Sequence, residues 1–267
     1  MAEYDGIGVQ NIGHLGLIAV VFKELKLVEK IDALLPKNSK NMHLSYGQAV
    51  MAMVMQSMGY SGRRLYLSPH FFSRHACKRL FGPNIEPSHF NARVLARTLD
   101  AIYAYGPSYF LSNLCLRVLV EADTIGKFLF LDTTSFALSG KKNKTEGRIT
   151  PAYGYSKDHR SDLKQIVYLP ATTEEALPLY AKTHNGNASD GEVFTQAILN
   201  IQELLGEQTN KKFFVLDSAL YSKKFLKNKQ ISGYWITRVP ESVKLCKSTL
   251  EGNHSERPWH EIDDKYS

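Results

Sequence analysis

Apolar positions over the first 125 residues recur at helical spacing. Leu15, Ile18, Val21, Phe22, Leu25 and Val28 repeat close to every 3.6 residues, predicting a helix over 14–35 that Pro36 ends. Ser45 reads as an N-cap for a helix over 46–58, and Gly59 stops it. Met51, Met53, Met55 and Met58 do not share one helical face, so this helix reads as buried nearly all round, with methionine as core filler. Pro69 marks a helix start before 71–81, and Gly82-Pro83 is a break. Phe90, Val94, Leu95, Leu99 and Ile102 predict an amphipathic helix over 88–105, and Gly106-Pro107 opens another over 108–121. The sum is a bundle of about five helices.

From Gly126 the period changes. A strand is predicted over 127–136, where Phe128 to Leu131 run without a polar break, the pattern of a strand buried on both faces. A polar, basic stretch over 139–160 precedes β-like segments at 163–173 and 177–183. Gly186 and Asp190-Gly191 mark turns, with Asp190 a plausible N-cap for a helix over 192–205 that Gly206 closes. A strand over 213–217, a short basic helix over 222–230 and a strand over 234–239 follow. Three strands before the first helix argue for a meander joined to parallel crossovers, the ribonuclease-H-like order. The fold class expected is α+β: a helical domain over 1–125, then an incomplete ribonuclease-H-like mixed-sheet core over 126–240. Residues 241–267 read as irregular, the start of an inserted region.

Two of these strands end in a carboxylate. Asp132 follows Phe128–Leu131, and Asp217 follows Phe213–Leu216, each with a hydroxyl neighbour. Burying a charge costs several kcal/mol unless it is paired or metal-bound, so such placement has a cause. In the expected order the first and fourth strands are parallel neighbours, which brings Asp132 and Asp217 together at one edge of the sheet as a divalent-metal site. Mg²⁺ needs only one or two carboxylates when water and a substrate phosphate complete its shell. The plainer alternative is a strand-end carboxylate capping the amides of the Thr133–Ser135 turn.

Charge supports a polyanionic partner. The net charge is +7, and residues 211–247 alone carry nine Lys and Arg against two Asp and Glu. Residues 141–164 carry seven against three. Lys157, Arg160 and Lys164, with Lys223 and Lys224 of the basic helix, are candidates for DNA backbone phosphates. The competing interpretation is a solvated basic surface. With 43% apolar and 22% charged residues the composition is that of a globular protein, and no run reaches the ~18 apolar residues of a membrane span. Three scattered cysteines (Cys77, Cys115, Cys246) form neither a disulfide framework nor a zinc pattern, which points to a reducing cytoplasm. HExxH, CxxC and GxxxxGK[ST] motifs are absent. A second acid two residues after Asp132, as in aspartyl-phosphate phosphatases, is replaced by Thr134.

FLDTTSF, GYSKDHRSDLKQI, NGNASDGEVF, FFVLDSALYS and YWITRVP, in this order, resemble bacterial insertion-sequence transposases of the DDE type. The likeness is to the branch with a separate helical N-terminal domain and covers most of residues 5–240. It implies a DNA-end-binding helical domain and a catalytic core that cuts and joins DNA with Mg²⁺ or Mn²⁺, its first two acids falling on Asp132 and Asp217. It also implies insertion-sequence ends and target DNA as partners, a nucleoid-associated location and no membrane, with a homo-oligomer or a full-length transposase as a further partner. The family's third acid, a glutamate on a later helix, has no counterpart after Val239: Glu241 lies too near the strand end, and Glu251, Glu256 and Glu261 stand in a tail. The expectation is therefore an N-terminal piece of a transposase, inactive alone, or else a non-catalytic DNA-binding remnant or inhibitor.

Overall fold

The structure is a computed structural model describing residues 10–36, 42–59, 64–140, 149–154 and 160–252. It divides into two compact units, Met1–Gly126 with Glu175–Lys182, and Lys127–Glu174 with Thr183–Ser267.

The first unit is helical: α1 (Leu15–Glu24), α2 (Leu27–Leu34), α3 (Tyr46–Met58), α4 (Ser68–Phe72), α5 (Cys77–Phe81), α6 (Ala92–Tyr105) and α7 (Pro107–Glu121). The single helix expected over 14–35 is two, because Lys26 turns into the left-handed region at φ 49°. The carbonyl of Leu25 at this break accepts from Lys30 Nζ at 2.7 Å, and the same ammonium meets Glu121 at 2.7 Å. Lys30 is thus a buried cation with a partner on α7. The expected helix over 71–81 is likewise split into α4 and α5, where the Ala76 amide leaves the helical ladder to donate to Asn11. Asn91 starts α6 by accepting from the Val94 amide at 3.2 Å. Ser45 and Gln48 form a reciprocal cap on α3. That helix is not buried all round: Met51 and Met55 are buried but Met58 is 54% exposed. Leu15, Ile31, Leu44, Met55, Phe72 and Phe90 are the heart of this core, with Phe72 against Phe90 at 4.3 Å between ring centroids.

The strands are β1 (Phe128–Leu131), β2 (Thr134–Leu138), β3 (Lys164–Thr173), β4 (Pro178–His184), β5 (Phe213–Leu216) and β6 (Tyr234–Thr237), and all but β4 lie within the second unit. The path is β2-β3-β1-β5-β6, with β4 pairing β3 off it. β1 and β2 both run antiparallel to β3 in one register: Leu131 faces Ala171 and Thr134 faces Tyr168. They are one strand interrupted at Asp132 and Thr133, and that register puts Asp132 opposite Pro170. Proline has no amide hydrogen to give a ladder, so the interruption falls where a donor is missing. β5 is parallel to β1, and β6 parallel to β5. The fold is mixed α+β, and its sheet has the ribonuclease-H-like order of an antiparallel meander followed by parallel strands.

Helix α8 (Asp190–Leu205) covers one face of this sheet with Val193, Phe194, Ala197, Ile198 and Ile201, all buried. Beneath it lie Leu129, Leu131, Leu169, Phe214 and Leu216, also buried. Among the described residues the other face, called the open face below, is the more exposed one. β3 shows this in strict alternation, its odd positions buried and its even positions not. Phe128–Leu131 is therefore buried on one face only, with Leu129 covered and Phe130 44% exposed. An unbroken apolar run does not by itself distinguish the two cases. A short helix α9 (Lys223–Leu226) joins β5 to β6, and α10 (Lys244–Leu250) lies in the stretch expected to be irregular.

Candidate active site

The ends of β1 and β5 position the two acids. The parallel register pairs Phe128 with Phe213 and Phe130 with Val215, so two residues further on Asp132 falls level with Asp217. Both are exposed, and both continue the alternation that puts Phe128, Phe130, Phe213 and Val215 on the open face. Neighbouring strands lie about 4.8 Å apart, the scale on which two carboxylates can share a cation. β1 and β5 are interior strands, so the pair stands at the C-terminal end of the sheet's middle rather than at a lateral edge.

Each carboxylate has a local partner. Asp132 Oδ1 accepts from the Thr133 amide at 2.7 Å, and Asp217 Oδ1 accepts from the Ser218 amide at 2.5 Å. The Asp217 carbonyl takes the Thr237 hydroxyl at 2.7 Å, tying the end of β5 to the end of β6. Next to this row the helix α8 brings its first residue: Thr133 Oγ donates to Asp190 Oδ1 at 3.2 Å. Asp190 is thus not the N-cap of α8. Ser189 holds that position, and Asp190 begins the first turn, where a carboxylate also suits the helix dipole.

Two carboxylates level with each other and open to solvent fit a Mg²⁺ that keeps most of its water. Among the described residues no group of three or more His, Cys, Asp or Glu side chains is placed to hold a metal. Glu241 is exposed in the turn after β6, and Glu251 follows α10, 3.8 Å from Lys247.

The basic residues differ among themselves. Arg160 makes a two-point pair with Asp162, Nε to Oδ1 at 2.8 Å and Nη2 to Oδ2 at 2.9 Å. That hydrogen bonding holds the Asp162 carboxyl below its ordinary range. Lys164 sits on the open face at the start of β3, its ammonium 5.9 Å from the centre of the Tyr153 ring. Lys223 and Lys224 begin α9, though their side chains are outside the description, and Lys157 lies outside the described residues. Arg238 was not among the candidates. The β5–β6 register pairs Leu216 with Thr237, so the next position sets Arg238 level with Asp217. Its signal in the sequence was that it closes β6 as Asp217 closes β5.

A family model described as a domain of unknown function, DUF4277, matches residues 7–116, within the helical unit. No curated protein matches the chain in sequence. Among solved structures, a Mos1 transposase paired-end complex with the left transposon end is similar at 9% identity and a TM-score of 0.26, over 76% of this chain and 61% of that one. The chain thus spans about three fifths of that relative's length. A pre-cleavage Mos1 transpososome is similar at 10% identity and a TM-score of 0.28, over 86% of this chain and 78% of that one.

Proposed function

We propose that this protein acts in DNA transposition, as the polypeptide that presents Asp132 and Asp217 for metal-dependent phosphoryl transfer at insertion-sequence ends. The observation that carries the proposal is the shared register of the two acids on adjacent parallel strands. The five sequence motifs and the excess of cations over residues 211–247 support it. Asp132 and Asp217 would hold Mg²⁺ or Mn²⁺, which when bound activates a water or a 3′-hydroxyl and neutralises charge on the leaving oxygen. The chain's own part is to fix both carboxylates on rigid strands, to brace Asp132 through Thr133 and Asp190, and to set Arg238 beside them for a DNA phosphate. Among the described residues no third acid joins them, and two carboxylates hold metal weakly, so strand cleavage by this polypeptide alone is expected to be negligible. Mn²⁺ binding followed by electron paramagnetic resonance tests the proposal. Weak binding that Asp132→Asn and Asp217→Asn each abolish supports it, and equal binding by all three proteins overturns it.

The two-acid arrangement also favours a second reading, a non-catalytic protein that occupies element ends or pairs with a full-length transposase. Its mark is salt-dependent DNA binding that neither Asn substitution weakens, without specific Mn²⁺ binding.

A further inference from the structure

The covered face seats α8 on Leu129, Leu131, Val167, Leu169, Phe214 and Leu216, of which one is aromatic. The open face carries more rings. Phe128, Phe213 and Tyr234 form a row across β1, β5 and β6, with centroids 5.2 Å and 4.8 Å apart, the second pair stacked at 20°. Phe130 stands beside this row, 44% exposed, and Tyr234 is 59% exposed. A second group, Phe136 with Tyr168 at 6.0 Å, lies across β2 and β3. Between the rings the face mixes apolar Val215, Ile236 and Ile166 with the hydroxyls of Thr134 and Thr172, and it carries cations at Lys164 and at Arg238. Exposed rings spaced along a sheet and flanked by cations suit flat aromatic ligands strung on a polyanion.

We propose that this open face is a platform for unpaired nucleic-acid bases, which stack on Phe130, Tyr234 and Phe136 while the phosphates meet Lys164 and Arg238. This rests on the DNA-transfer function proposed above for its biological setting: it would hold the strand freed at an element end, with the backbone led past Asp132 and Asp217. Stacking on rings is tolerant of sequence, because every base has an aromatic face. The single strand is preferred over duplex, whose bases are occupied with one another.

The test uses the full chain with EDTA present, so that no metal contributes. The probe is a fluorescein-labelled oligothymidylate of about twenty nucleotides, compared by anisotropy with a duplex of equal length. Phe130→Leu and Tyr234→Leu keep the apolar surface and remove the ring. The expected result is tighter binding of the single strand than of the duplex, weakened about tenfold or more by the double substitution. The same affinity in wild type and double variant overturns the platform. So does a concentration-dependent dimer, seen by sedimentation, that the double variant disrupts while oligonucleotide affinity stays unchanged; the face is then an interface between copies. Asp132→Asn with Asp217→Asn separates the two proposals. Unchanged single-strand binding alongside metal binding that these substitutions do not alter leaves the platform standing and removes the metal site.

Discussion

Thr133 donates its hydroxyl to Asp190 across 3.2 Å, joining the interruption in the sheet's central strand to the first turn of the helix that covers it. Thr133 is buried while Asp190 is exposed. Thr133→Val keeps the shape and removes the donor, leaving the Asp190 carboxylate to water. The expected loss of stability is about 1 kcal/mol, read as a lower urea midpoint with an unchanged slope. Asp190→Asn keeps an acceptor oxygen and is expected to lose less. An equal loss in both would mean that the charge of Asp190, rather than the hydrogen bond, does the bracing.

Gly186 is predicted to be intolerant of any side chain. A Cβ there would run into the carbonyl of Gln165 and stand 2.5 Å from that of Ala152. Those two residues exchange backbone hydrogen bonds at 2.9 and 3.2 Å, and the Gln165 side chain also donates to the Gly186 carbonyl at 3.0 Å. Gly186→Ala is expected to cost about 1–3 kcal/mol and to speed amide exchange at Ala152 and Gln165. Exchange confined to its wild-type rate at both amides would refute the prediction.

What the chain disclosed in advance follows from which interactions are local. Strand order and parallel pairing were legible because the two acid-ended runs share a pattern, and the helical period stops at Gly126. The break at Lys26 was not, because it depends on Lys30 reaching Leu25 and Glu121, the latter far away in sequence. The gap at Asp132 was hidden for a similar reason: its cause is Pro170 on another strand. The open face was misread since Phe128–Leu131 looks the same whether one side is covered or both. Helix α10 lies in a polar stretch without an apolar stripe, where periodicity has little to show.

The sidedness of the sheet sets a sharp contrast between two phenylalanines one strand apart. Phe214 is fully buried under α8, and Phe214→Ala is expected to cost about 3–5 kcal/mol. Phe130, on the open face, already meets water, and Phe130→Ala is expected to cost about 1 kcal/mol or less. Urea denaturation of the two variants measures this. Comparable losses would mean that Phe130 is covered in solution by something that also contributes to stability.

The helical unit is predicted to lose stability in mild acid through His89. Its Nδ1 accepts the Glu86 amide at 3.2 Å, and its ring stacks on His43 at 4.4 Å between centroids and 7° between planes. Protonation at Nδ1 forfeits that hydrogen bond. Burial, then the neighbouring His43, hold the folded pKa below the ordinary 6.5, against a smaller opposing pull from Glu86. As pH falls through 6.5 the unfolded chain therefore takes up this proton before the folded one does. Stability falls across that window and levels off, for this group, below the folded pKa. His89→Gln keeps an acceptor for the Glu86 amide and cannot titrate. Amide exchange at Glu86, compared between about pH 7.5 and about pH 5.5 after correction for intrinsic rates, reads the effect. Protection is expected to drop in wild type and to hold in His89→Gln, with His43→Gln in between because it removes only the second cause. A drop of the same size in all three proteins would assign the acid sensitivity to other groups.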